Sequence, residues 1–189
     1  MVNLLIILSV LSSFLATLET KTLQSEFTVS VAEDAVSPLN YPGEITMRGD
    51  RFLLDMFGIE AAYDGQTLYM YNADVDELTL SNPTEQELVE ANPFLYAKAL
   101  VEVCNITERT ITDNPSPVTL ITLTPKDQSI GINRFVLKVR NSDLVPLSVE
   151  IKEGKKTSTL RMTAPKFTDI QPQYTIVPNK DTYVNDLRF

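Results

Sequence analysis

The residue types that most often carry catalysis are nearly missing from this chain of 189 residues, which has no histidine and a single cysteine, Cys104. Without histidine there is no Ser-His-Asp or Cys-His nucleophile and no histidine-ligated zinc, and one thiol closes neither an internal disulfide nor a thiolate metal cluster. Cys104 reads as a small core residue. Carboxylates are plentiful, but Asp74, Asp76 and Glu77 gather at a turn and read as solvated hairpin residues. Asn72, Asp74 and Asp76 alternate like the first ligands of a calcium loop. The position that requires glycine is Glu77, however, and the closing glutamate position is Pro83. All six glycines are isolated, so there is no phosphate-cradling loop, and no Gly-x-Ser-x-Gly elbow occurs. These residues predict no enzyme, no bound metal and no cofactor.

What stands out instead is apolar. Phe52, Leu54, Met56, Leu68 and Met70 are large side chains on successive alternating segments, and methionine adapts its shape to irregular apolar partners. Periodicity does not separate a side chain packed on protein from one packed on a ligand, so a filled core and a lipid-type cavity both fit the stripe.

The elements that position these residues are mainly strands. Phe27, Val29 and Val31 alternate with Thr28 and Ser30, and the pattern repeats through Ile45 and Met47, Phe52 to Met56, Ile59 to Tyr63, and Leu68 and Met70. Breaks fall at Pro42-Gly43, Gly49-Asp50, Gly58 and Asp64-Gly65, the last reading as a hairpin turn. Strands resume over 119–124, 134–139, 147–152 and 157–162. Two helices are expected mid-chain, over 83–91 and 93–103, opened by Asn82-Pro83 with Glu85 completing a capping box, and by Asn92-Pro93. At the amino end Leu4 to Leu8, followed by Ser9, Ser12, Ser13 and Ala16, resembles the close of a secretory signal without its basic opening. Val10, Leu11, Phe14, Leu15 and Leu18 form the stripe of an amphipathic helix over 9–21. Residues 1–9 are thus read as a signal remnant or a mis-set start, and 10–189 as one domain.

Strands outnumbering helices, with turns every 8 to 12 residues or so, predict an α+β fold, mainly β, in which one antiparallel sheet curls into a barrel or half-barrel with the helices over its open face. With 43% apolar residues the chain has material for a well-buried core. Its net charge of −9 repels phosphate backbones, so no nucleic-acid partner is expected. No uninterrupted apolar run reaches the roughly 18 residues of a membrane-spanning helix, and the protein is expected not to be membrane-integral.

The block Asp64-Gly65-Gln66-Thr67-Leu68-Tyr69-Met70-Tyr71-Asn72 resembles the hairpin of the periplasmic outer-membrane lipoprotein carriers, the LolA family. Gly43 to Arg48 and Phe52 to Met56 before it, Asn92-Pro93-Phe94 and Leu123 to Lys126 after it, and Val184 to Arg188 at the carboxy end match the family in order and spacing. The resemblance implies an incomplete, strongly curved antiparallel barrel with a helical lid over an apolar concavity, in the periplasm of a bacterium with an outer membrane. It implies a monomeric chaperone that takes acylated lipoproteins from an inner-membrane ABC-type release transporter and hands them to an outer-membrane acceptor. Parity and motif position then place Phe27, Val29, Ile45, Met47, Phe52, Leu54, Met56, Leu68 and Met70 against acyl chains, and Phe14, Leu15, Leu88, Phe94 and Leu95 on the lid. The family's better-known members latch the lid with the arginine of a Lys-Arg-Pro step. Arg48-Gly49-Asp50 stands there in this chain, which leaves Arg48 or Arg51 as substitutes, or packing alone. A lipid or amphiphile sensor, and a structural protein of the same fold with a filled core, are the competing expectations. A lipid-anchored acceptor is disfavoured because no cysteine lies near the amino terminus.

Overall fold

The computed structural model describes residues 9–33, 39–113 and 116–188, so the apolar run Leu4 to Leu8 lies outside the described residues. Among the described residues the alternating segments pair into one open, curved sheet that does not close into a barrel, with three α-helices on it: an α+β fold. In chain order the elements are α1 (Val10–Thr20), β1 (Thr22–Glu33), β2 (Leu39–Arg48), β3 (Arg51–Met56), β4 (Ile59–Tyr63), β5 (Leu68–Asn72) and β6 (Glu77–Ser81). Then follow α2 (Glu85–Ala91), α3 (Pro93–Leu100), β7 (Cys104–Asp113), β8 (Ser116–Pro125), β9 (Arg134–Arg140), β10 (Pro146–Glu153), β11 (Lys156–Thr168) and β12 (Tyr183–Asp186). Across the sheet the strands run β12-β6-β5-β4-β3-β2-β1-β11-β10-β9-β8-β7. All neighbours are antiparallel except β12, which lies parallel to β6.

Residues paired across strands share a face, so the register spells out what each face carries. One inner row runs Phe167, Leu23, Met47, Phe52, Tyr63, Leu68. The next holds Ile45, Leu54, Ala61 and Met70, and across the other half Val29, Leu160, Val149, Leu137, Ile121 and Glu108 line up. The outer face is mixed: Leu53, Ala62, Tyr69 and Leu80 form an apolar row there, with Ala62, Leu80 and the neighbouring Leu78 buried, and the row next to it is charged. Glu26, Glu44, Asp55 and Glu60 stand opposite one another across β1 to β4, an arrangement of like charges that is tolerable because all are exposed to water. After β11 the chain crosses this outer face, where Thr22 Oγ1 donates to the Ile170 carbonyl at 2.5 Å and Gln173 to Val177 pass beside Leu53 and Glu60, before β12 joins the far edge.

The first helix forms where its stripe predicts, within a residue at each end, and buries Leu11, Phe14 and Leu18. The second starts later than expected. Its cap is Thr84, not Asn82, and the reciprocal partner is Glu87, not Glu85: Thr84 Oγ1 accepts from the Glu87 N–H at 3.3 Å while Glu87 Oε2 accepts from the Thr84 N–H at 2.7 Å. Thr84 has the extended backbone a cap needs, and the hydrogen bonds hold the Glu87 carboxyl below its usual pKa. Thr84→Ala is expected to destabilise the protein by about 1 kcal/mol, read from the shift in a urea unfolding midpoint. The third helix is capped by Asn92 as expected but ends at Leu100, because the chain must enter β7 at Cys104.

The Asp64-Gly65 turn is wider than a two-residue hairpin. β4 and β5 are joined by residues 64–67, in which Asp64 Oδ1 accepts from the Gln66 and Thr67 N–H groups at 2.9 and 2.8 Å. Partial burial raises the Asp64 pKa, but those two bonds and the Tyr69 hydroxyl together hold it below the ordinary range. The tight turns lie at Gly49-Asp50 and Phe57-Gly58, with positive φ at Gly49, Phe57 and Gly58.

Candidate functional site

The inner floor is built from the apolar positions the sequence singles out. Phe27, Ile45, Met47 and Phe52 are buried, and Val29, Leu54, Met56 and Leu68 are half-buried against the same hydrophobic cluster. Phe27 owes its place to Gly43, its partner on β2. A Cβ at position 43 would stand 2.4 Å from Phe27 Cζ and 2.7 Å from the Asp55 carbonyl, so only glycine leaves room for the ring. Met70 is 44% exposed and lies outside the cluster, with Ile59 and Val75 at a cavity of about 280 Å³ on the rim of the sheet.

Across β8 to β10 the floor continues through Ile121, Leu123, Phe135, Leu137 and Val149, all buried. These were within reach of the sequence, since they alternate as clearly as the residues of β3, but no motif marked them. Tyr96 meets Phe135 edge to face at 6.1 Å, and burial pushes its phenol pKa up.

The lid packs directly on this floor. Phe14, Leu88 and Phe94 are buried and Leu15 and Leu95 half-buried in the cluster, and the Phe14 and Phe94 rings meet with centroids 5.8 Å apart, joining α1 to α3. Asn92 fixes the start of α3 on the floor: its Oδ1 accepts from the Phe94 N–H at 2.9 Å and its Nδ2 lies 3.8 Å from Met47 Sδ. Burial pushes the Cys104 thiol pKa up, so it stays protonated near neutral pH.

The polar fastenings of the lid do not use the side chains of the two arginines. Arg48 and Arg51 face each other across the β2–β3 turn, on the side of the sheet opposite Met47 and Phe52, and Arg51 Nε sits 3.3 Å from where a Cβ on Gly65 would be. Among the described residues no hydrogen bond or ion pair runs from either to a helix. Gly49 fastens the lid through its backbone, its N–H donating to the Leu18 carbonyl at 2.7 Å. Lys98 of α3 pairs with Glu19 of α1 at 2.6 Å, with both side chains about half exposed. At the other end of α1, Glu108 of β7 accepts from the Val10 and Leu11 N–H groups at 3.0 and 2.9 Å. Among the described residues no three Cys, Asp or Glu side chains are placed to hold a metal ion, and no helix is long and apolar enough to cross a membrane.

No family model and no curated protein sequence matches this chain. Among solved structures it is similar to an uncharacterized conserved protein from Thermus thermophilus, at 12% identity and a TM-score of 0.62 over 93% of this chain and 96% of that one. It is also similar to a chain of the Pseudomonas aeruginosa MucA/MucB complex, at 16% identity and a TM-score of 0.52 over 91% of this chain and 58% of that one. The present chain thus spans little more than half of that longer chain. A LolA superfamily protein from Nitrosomonas europaea is a further structural neighbour, at 14% identity and a TM-score of 0.39, with 84% and 94% covered.

Proposed function

We propose that this protein is a periplasmic carrier that shields the acyl chains of lipoproteins on an apolar sheet face and moves them between the inner and outer membranes without covalent chemistry. One observation carries the reading: the floor and the underside of the lid form a single hydrophobic cluster, so the lid occupies the surface that an acyl chain would take. Burying each methylene is worth about 0.8 kcal/mol, and a rigid open cavity would hold a long chain almost irreversibly. Displacing a self-packed lid subtracts from that gain, which keeps net affinity low enough for release. An inner-membrane ABC-type transporter is the proposed donor and an outer-membrane protein the proposed acceptor.

The complete burial of Phe14 and Phe94 also fits a second reading, a structural protein whose core is simply filled. Native mass spectrometry of detergent-free protein, with a pull-down of a triacylated lipoprotein and its unlipidated form, separates the two. Selective capture of the lipidated form is expected, and Leu54→Glu, on the half-buried floor, is expected to abolish it. Equal capture of both forms, or of neither, would favour the filled core.

A further inference from the structure

The first turn of α1 has three N–H groups without an acceptor inside the helix, on Val10, Leu11 and Ser12, and the fold accounts for each. Ser12 donates to Ser9 Oγ at 3.1 Å, the usual cap. Val10 and Leu11 donate to the two carboxylate oxygens of Glu108, which is 98 residues from Val10 in sequence. No acidic residue occurs in the first turn of α1, so the negative charge that complements a helix amino terminus comes from β7 instead.

Glu108 is out of place as a strand residue. It ends the inner row that runs through Val29, Leu160, Val149, Leu137 and Ile121, where an apolar side chain would extend the floor. A carboxylate at that position is explained by what it holds. The other end of α1 passes into β1 through Lys21 alone, beside the Gly49 to Leu18 hydrogen bond. The helix is therefore tethered covalently at its carboxy end and by a reversible pair of bonds at its amino end.

We propose that Glu108 is the catch of the lid. Breaking its two hydrogen bonds frees the amino end of α1 to lift about Lys21 and uncover the floor beneath Leu11 and Phe14. Because Glu108 is exposed, water solvates both the carboxylate and the freed N–H groups on release, so the catch biases the lid toward closure without locking it. Its use in loading rests on the carrier reading above; its hold on the helix does not.

Hydrogen–deuterium exchange on the full chain tests it. In Glu108→Ala the amides over 13–18 are expected to exchange about tenfold faster than in the parent protein, with Glu108→Gln, which keeps one acceptor oxygen, in between. Exchange in β8 to β10 should stay unchanged. Unaltered exchange in α1, or a uniform rise across helix and sheet, would overturn the proposal. A fluorescent fatty acid titrated into the same proteins keeps the two ideas apart. Tighter binding by Glu108→Ala supports both, whereas faster α1 exchange with no binding by any variant supports the catch and overturns the carrier.

Discussion

Phe14→Ala should leave the protein less stable and yet a better binder of acyl chains. The Phe14 ring is fully buried and packs on Phe94 at 5.8 Å, and removing such a ring typically destabilises by about 3–5 kcal/mol. For a chain of this size that is a drop of about 10 °C in the thermal midpoint. In a carrier, the ring's packing on the floor and on Phe94 exists only while the lid is closed. An incoming chain then displaces less, and affinity for a fluorescent fatty acid should rise by about tenfold or more. A filled core makes the opposite forecast: the same loss of stability with no gain of binding. Differential scanning calorimetry and a fatty-acid titration on one preparation decide between them.

Gly43→Ala should act on the floor itself. The added methyl would meet the Phe27 ring at 2.4 Å and the Asp55 carbonyl at 2.7 Å, and the second neighbour is backbone that cannot rotate away. Overpacking of this kind typically destabilises by about 1–3 kcal/mol, and the backbone clash places this site at the upper end. Trimming the ring should recover part of the loss. The double variant with Phe27→Leu is expected to be more stable than the two single losses added together, and strict additivity would show that the ring and the glycine do not share the site.

The fold was legible in most stretches where burial follows a simple period; β6 was missed although Leu78 and Leu80 alternate, because Glu77, its first residue, reads as part of the preceding turn. β1 to β5 and β8 to β11 alternate because one face of each meets the core, and α1 repeats its apolar stripe for the same reason. The others that escaped were elements whose burial has another origin. β7 is an edge strand with mostly exposed side chains, so Asn105, Thr107 and Arg109 give no apolar contrast against Ile106, and Glu108 breaks it outright. β12 exists only because the chain crosses the outer face to reach β6, which no local pattern encodes. The cap of α2 was misplaced by two residues because Asn82 and Thr84 are both good caps, and only the backbone chooses between them. The lid fastening was unreadable for a related reason. Gly49 acts through its N–H, and Glu108 acts on a helix 98 residues away in the chain, so neither leaves a spacing in the sequence.

The strand order also governs how the molecule is made. β1 lies near the middle of the sheet, but its neighbour β11 comes from near the other end of the sequence, and β6 waits still longer for β12. A chain synthesised from its amino end can assemble β1 to β6 early, but that half-sheet has two raw edges and an uncovered apolar face. Such high contact order slows folding and prolongs the exposure of surfaces prone to strand addition. The strands made after this half-sheet close both of its edges: β11 pairs with β1 and joins the two halves, and β12 pairs with β6.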